Sequence, residues 1–245
     1  MSCNTLTPAA VSSEARPWQR VVWRIVEAQH TASTMKIVDN DDEQDLLETL
    51  LEGSKPAQPA TALVLDYLLA TPFRYNPLRG GSRFRTVTDP GVFYGAESVR
   101  TASAELGFWR WKFLKDAVDL EKLEPVAHTA FSADVSTQVV DLRKPPFSAD
   151  AKAWLHPNDY TGTQAFAQVA REANVGGIQY RSVRDPNPAW CVALLTPQAF
   201  SKTKPRPLMQ TWWLAVHQDA VIWRRDNESM TFAANRLQSP PYDTI

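Results

Sequence analysis

The feature that most constrains the fold is the crowding of β-forming runs after Val126. Ala127–Val135 and Val139–Leu142 read as strands, the second stopped by Pro145-Pro146. Ile178–Val183 and Val192–Leu195 follow. Trp212–Val216 and Val221–Trp223 then flank His217-Gln218-Asp219-Ala220 as a hairpin. Helical signals lie mostly earlier. Ser98 reads as the N-cap of a helix running to about Lys115, and Gly162–Asn174 as a second helix with Phe166, Val169 and Ala170 on its apolar side, broken by Gly176-Gly177. Strands and helices alternate irregularly and the chain ends in strands. That pattern predicts α+β rather than a doubly wound parallel sheet.

A chain of 245 residues can bury a sizeable core, and its 44% hydrophobic and 22% charged residues exclude wholesale disorder. The net charge of −1 argues against a broad basic surface for direct nucleic-acid binding, which needs clustered Lys and Arg. Nine Trp predict a core or cavity rich in indole rings. Cys3 and Cys191 are too few and too far apart for a disulfide framework or a Cys-x-x-Cys site, and the four histidines show no metal-ligand spacing, so no metal is expected. No apolar stretch approaches the ~20 residues of a bilayer span, and no signal peptide is legible, which predicts a cytoplasmic protein without a membrane.

Residues 1–17, small and polar, read as a loosely held leader, and 18–245 as one domain. Within it, Asp39–Glu52 carries Leu46, Leu47, Leu50 and Leu51 at the spacing of an acidic amphipathic helix. Thr61–Ala70 reads as a second helix ending before Pro72. The pair, 39–70, is expected to be a helical insertion packed on its own domain, with an antitoxin-docking or dimerisation arm as the alternative.

The chemistry-bearing residues concentrate in Arg83-Phe84-Arg85, Gly91–Ala96 and Thr101–Glu105. On the predicted helix, Ala102, Leu106, Trp109 and Phe113 share a stripe, which reads as the core side. Glu105 lies about 70° off its middle, at ~100° per residue, and so at the border of core and cleft. It is either an anchor for a nearby arginine or a functional acid. Arg83 and Arg85 could be solvated loop charges and Tyr94 a strand aromatic. Arg24, inside Val21–Val26, could face solvent opposite Trp23 and Ile25.

Taken together these pieces resemble the RES family, named for its Arg, Glu and Ser residues, whose members are toxins of bacterial toxin–antitoxin pairs. The resemblance runs from about residue 20 to 200. It rests on Val22-Trp23-Arg24-Ile25, Gly81-Ser82-Arg83-Phe84, Val92-Phe93-Tyr94-Gly95-Ala96, Thr101-Ala102-Ser103-Ala104-Glu105 and the stretch from Gly176 through Ser182 to Arg184. Tyr160-Thr161-Gly162-Thr163-Gln164 resembles a further segment in which some members carry serine at the place of Thr161. Arg85 stands where many members place Asn, and Arg24 and Arg83 are further apart than in compact members because the insertion lies between them.

The resemblance implies an ADP-ribosyltransferase-like fold, with a small split β-sheet core and flanking helices. It also implies NAD⁺ as substrate with no further cofactor, and Arg24, Arg83, Tyr94, Glu105, Ser182 and Thr161 as the site. A guanidinium at Arg24 or Arg83 suits the pyrophosphate, Tyr94 the nicotinamide ring, and Glu105 the positive charge that develops on the ribose when the nicotinamide bond breaks. Ser182 would donate to the ribose or the amide. The implied activity is NAD⁺ hydrolysis or phosphorolysis by a toxin. An ADP-ribosyltransferase acting on a protein and a non-catalytic binding module on the same scaffold are the alternatives. The implied partner is an antitoxin, often of helix-turn-helix type, that blocks the site.

Overall fold

The computed structural model of the protein describes residues 6–28, 38–75 and 81–238. The first helix, α1 (Pro8–Glu14), is capped by Thr7, whose Oγ1 accepts from the Ala10 amide, and Pro8 occupies its first turn. Val11 is fully buried. Strand β1 (Arg16–Glu27) starts two residues later and pairs from its first residue. The loose leader expected over 1–17 is therefore corrected for 6–17; residues 1–5 lie outside the described residues. One apolar side chain and a cap fix a segment whose composition alone reads as polar coil.

Helix α2 (Asp41–Ser54) matches the acidic amphipathic segment, but Leu46, Leu50 and Leu51 are 59%, 61% and 45% exposed. Among the described residues these three leucines face outward rather than onto their own domain as expected, and of the four only Leu47 is half-buried. After a 3₁₀ turn at Ala60–Ala62, α3 (Tyr67–Arg74) is capped by Asp66 and contains Pro72, which the sequence reading placed beyond the helix end. Proline lacks only its own amide, and the rest of this short helix is held by Leu69, Ala70 and Phe73, all buried.

Then follow β2 (Phe93–Ala96), α4 (Val99–Asp116) and β3 (Lys122–Asp141). The last is one continuous 20-residue strand where two shorter ones were expected. A short helix α5 (Ala151–Trp154) precedes α6 (Thr161–Glu172), whose end is marked by Asn174 in the left-handed region at φ 54°, ahead of the two glycines. The chain closes with β4 (Gly177–Arg181), β5 (Trp190–Leu194), β6 (Gln210–His217), β7 (Ala220–Arg225), β8 (Glu228–Ala233) and α7 (Ala234–Gln238). Strand β8 extends the expected hairpin to three strands.

The sheet runs β1-β2-β5-β4-β3-β6-β7-β8, with β1 also paired to β3. Strand β3 explains the layout. Along one edge it carries β1 from Arg16 to Glu27. Its other edge is shared: β6 takes residues 122–130 and β4, in parallel, takes 139–141. The sheet therefore splits along β3, and the strands β1, β2, β5, β4 and β3 close on themselves. This is an α+β fold with a split sheet, as expected. One core cluster, around Phe93, Phe131 and Phe200, is covered by α3 and the 3₁₀ turn Pro197–Ala199. The other, around Phe108, Trp111, Phe166 and Trp223, holds α4 and α6 against the sheet.

Candidate functional site

A cavity of about 380 Å³ opens where α4 crosses β1 and β2, walled on the far side by the turn 81–85 and the loop before α6. Arg24, Arg83, Tyr94 and Glu105 all line it. Residues separated by up to 81 positions in sequence meet there because β2 and α4 are sequence neighbours, while β1 is hydrogen-bonded beside β2.

Glu105 is placed by α4. The helix starts at Ser98, whose Oγ accepts from the Thr101 amide at 3.2 Å, and Thr101 donates its hydroxyl to the buried Asp185 at 2.9 Å. The helix thus begins already tied to the turn after β4. Its core side is Ala104, Phe108, Trp111 and Leu114, all buried. The other stripe, read above as core, faces the opening: Ala102, Glu105, Leu106 and Trp109 line the cavity, and Trp109 and Phe113 are 47% and 55% exposed. Both stripes are apolar, so periodicity alone does not separate them. Gly107 decides, because a Cβ there would come within 2.8 Å of Val221 Cγ1, so this side must be the one pressed to the sheet.

One carboxylate oxygen of Glu105 is held from below. Its Oε1 accepts from Ser182 Oγ at 2.6 Å and from the Val183 amide at 3.2 Å. Ser182 is wholly buried, and its Oγ accepts in turn from the amides of Arg184 (3.3 Å) and Asp185 (3.0 Å). Ser182 thus supports Glu105 and does not line the cavity, where the family resemblance had it touching the substrate. Among the described residues Oε2 has no hydrogen-bond partner.

The turn carrying Arg83 is closed by Ser82 N–H to Arg85 O (2.7 Å) and Arg85 N–H to Ser82 O (3.1 Å). Gly81 leads into it, and a Cβ there would stand 2.2 Å from the Arg85 carbonyl. The Tyr94 hydroxyl locks the turn, bonding Ser82 Oγ at 2.7 Å and accepting from the Phe84 amide at 3.0 Å. Burial pushes that phenol above its usual range, with the Ser82 bond opposing. Gln164 braces the same turn by donating to the Ser82 and Arg85 carbonyls. Arg83 is buried, donates from Nη1 to the carbonyls of Trp154 and His156 at 3.0 Å each, and lies over the Tyr160 ring. Arg85 is buried too, donating to the carbonyls of Asp89 and Tyr75. Neither is a solvated loop charge.

Arg24 does not face open solvent either. Strands β1 and β2 share only the pair Trp23–Ala96, and Arg24 bridges them beyond it, donating from Nη1 to the Tyr94 carbonyl at 2.9 Å with its guanidinium over Phe93. Desolvation pulls its pKa down to about 10, with Tyr94 opposing, and its Nε is buried without a partner. It stays a cation at neutral pH.

Thr161, like Ser182, is a candidate that does not line the cavity. It is exposed at the first turn of α6, with its amide donating to Asp159, while its neighbour Tyr160 lines the cavity. Among the lining residues not expected from sequence are Trp23, Trp109, Tyr160, Tyr180, Cys191 and Arg184. Arg184 is buried, donates to the carbonyls of Leu237 and Pro157, and has its pKa lowered by burial against the pull of Glu105. Its place two residues after Ser182 was the available signal. Among the described residues no group of three or more His, Cys, Asp or Glu could hold a metal, and no helix is long and apolar enough to cross a membrane.

The family described as RES domain matches residues 59–217, more than half of the chain. No curated protein sequence matches it. Among solved structures, it is similar to a chain of the M. tuberculosis MbcT–MbcA toxin–antitoxin complex, at 13% identity and a TM-score of 0.47. That likeness covers 98% of this chain and 99% of the other.

Proposed function

The chain belongs to the RES domain family, and from that premise and the cavity we propose that it is an NAD⁺-cleaving toxin of a toxin–antitoxin pair. The supporting observation is Glu105. One oxygen is fixed by Ser182 and Val183 while the other has no hydrogen-bond partner among the described residues, in a cavity shared with Arg24 and Arg83. A preorganised carboxylate of this kind suits a reaction in which positive charge develops beside it.

In the proposed reaction the C1′–N bond breaks and its electron pair goes to the pyridinium nitrogen, so neutral nicotinamide leaves. The ribosyl carbon carries the positive charge, next to Glu105, until an oxygen of water or phosphate bonds to it; water gives its proton to solvent. The guanidinium of Arg83, already fixed by two carbonyls, would hold a phosphate without reorganising. Tyr94 acts by positioning the Arg83 turn, and Ser182 by positioning Glu105. Incubating the purified chain with NAD⁺ and measuring free nicotinamide tests the reading; parallel reactions with phosphate and with a protein extract identify the acceptor. No nicotinamide under any of the three conditions would defeat it. A protein carrying ADP-ribose would favour the transferase reading, which uses the same residues. The proposed partner is an antitoxin that covers the cavity.

A further inference from the structure

The cavity holds two indoles that the proposed chemistry has not used. Trp109 stands four residues after Glu105, so it lies on the same side of α4, about 6 Å along the axis. Trp23 and Ile25 approach from β1, which the Arg110–Glu27 ion pair ties to this end of α4. Trp109 is 47% exposed and Trp23 half-buried. Among the described residues no ring or cation stacks on Trp23, and the ring contact of Trp109 is an edge contact with its neighbour Phe108 at 5.3 Å. Tyr94, the aromatic expected to meet the nicotinamide, has its hydroxyl committed to the 82–84 turn. Indoles that line the same cavity as a carboxylate oxygen without a hydrogen-bond partner among the described residues are the chemistry that recognises a flat organic cation.

We propose that Trp109, with Trp23, is the receptor for the positively charged pyridinium ring of the substrate, so that the site distinguishes the cationic ring from its neutral forms. The proposal rests on the NAD⁺ reading for the identity of the ligand. Its position follows from bond lengths: the ring is bonded directly to the carbon that must lie at Glu105, so its wall must stand within about one helical turn of that residue. The charge history also fits. Before cleavage the ring is a cation over the indoles. As the bond breaks the charge moves to the ribose, where Glu105 takes it up, and the neutral product loses its hold on Trp109. Such a contact strengthens ground-state binding and eases product release, and it contributes little to the rate of bond breaking.

The test compares N1-methylnicotinamide, a cation, with nicotinamide, its neutral counterpart, by calorimetry on the full chain. The wild type is expected to bind the cation about 5- to 30-fold more tightly. Glu105 also attracts a cation, so the Trp109 dependence is decisive. In Trp109→Leu the preference should shrink several-fold, Trp109→Phe should fall between, and the KM for NAD⁺ should rise in the same order. Trp109 is half exposed, so both variants should fold; Trp23→Leu gives an independent check from β1. An undiminished preference in Trp109→Leu, or none in the wild type, would overturn the proposal. Cleavage without any preference defeats this inference alone, whereas a Trp109-dependent preference without cleavage defeats the enzymatic reading and leaves the cation site standing.

Discussion

Ser182 Oγ donates a 2.6 Å hydrogen bond to Oε1 of Glu105 from 77 positions further along the chain. The serine Oγ itself accepts from the amides of Arg184 and Asp185, so the turn after β4 orients the serine before it orients the glutamate. Ser182→Ala removes the bond and leaves Glu105 held by the Val183 amide. Hydrogen bonds to charged groups contribute about 1.5–3 kcal/mol, so kcat/KM for NAD⁺ is expected to drop by roughly 10- to 100-fold. Wild-type kinetics in this variant would show that Glu105 needs no such support.

Glu105→Gln keeps the shape and removes the charge. If the carboxylate stabilises a cationic transition state, the rate of nicotinamide release should fall on the order of 10²–10³-fold while NAD⁺ affinity changes far less. The decisive pair of measurements is single-turnover rate and dissociation constant; equal losses in both would point to a binding role.

Arg83→Lys keeps a charge but replaces the planar fork, whose Nη1 donates to both the Trp154 and His156 carbonyls, by a single ammonium. Weaker NAD⁺ binding and a lower melting temperature are expected at once. Unchanged values in both would return Arg83 to an ordinary loop residue.

Tyr94→Phe leaves the Phe84 amide without its acceptor and Ser82 without its partner. The loss of stability is expected at about 1–3 kcal/mol, the cost of an orphaned buried donor. Denaturant titration measures it, and a midpoint identical to the wild type would contradict the clamp.

His128 is buried against Trp223, and burial pulls its pKa below 6.5, with the Val126 carbonyl opposing. The unfolded chain therefore binds more protons than the folded one between the lowered value and about 6.5, and stability falls as pH drops through that window. His128→Gln should flatten this part of the pH–stability curve. A curve of unchanged slope from pH 7 to 5 would exclude His128 as its source.

Sequence patterning determined the α+β class, the cap at Ser98, the bounds of α4 to within a residue or so, and the C-terminal hairpin. Each depends on neighbours within one or two turns of chain, and local chemistry is what a sequence displays. Family resemblance determined which two arginines, which tyrosine and which glutamate to watch, and the four line one cavity. Only the tertiary structure decided which apolar stripe of α4 meets the sheet, because Gly107 and Val221 are brought together by packing and not by spacing. Only it decided that Ser182 supports from beneath, that Tyr160 and not Thr161 reaches the cavity, and that Leu46, Leu50 and Leu51 of α2 stay exposed. Those outcomes depend on contacts between distant segments, whose energies arise when a particular pair of surfaces closes.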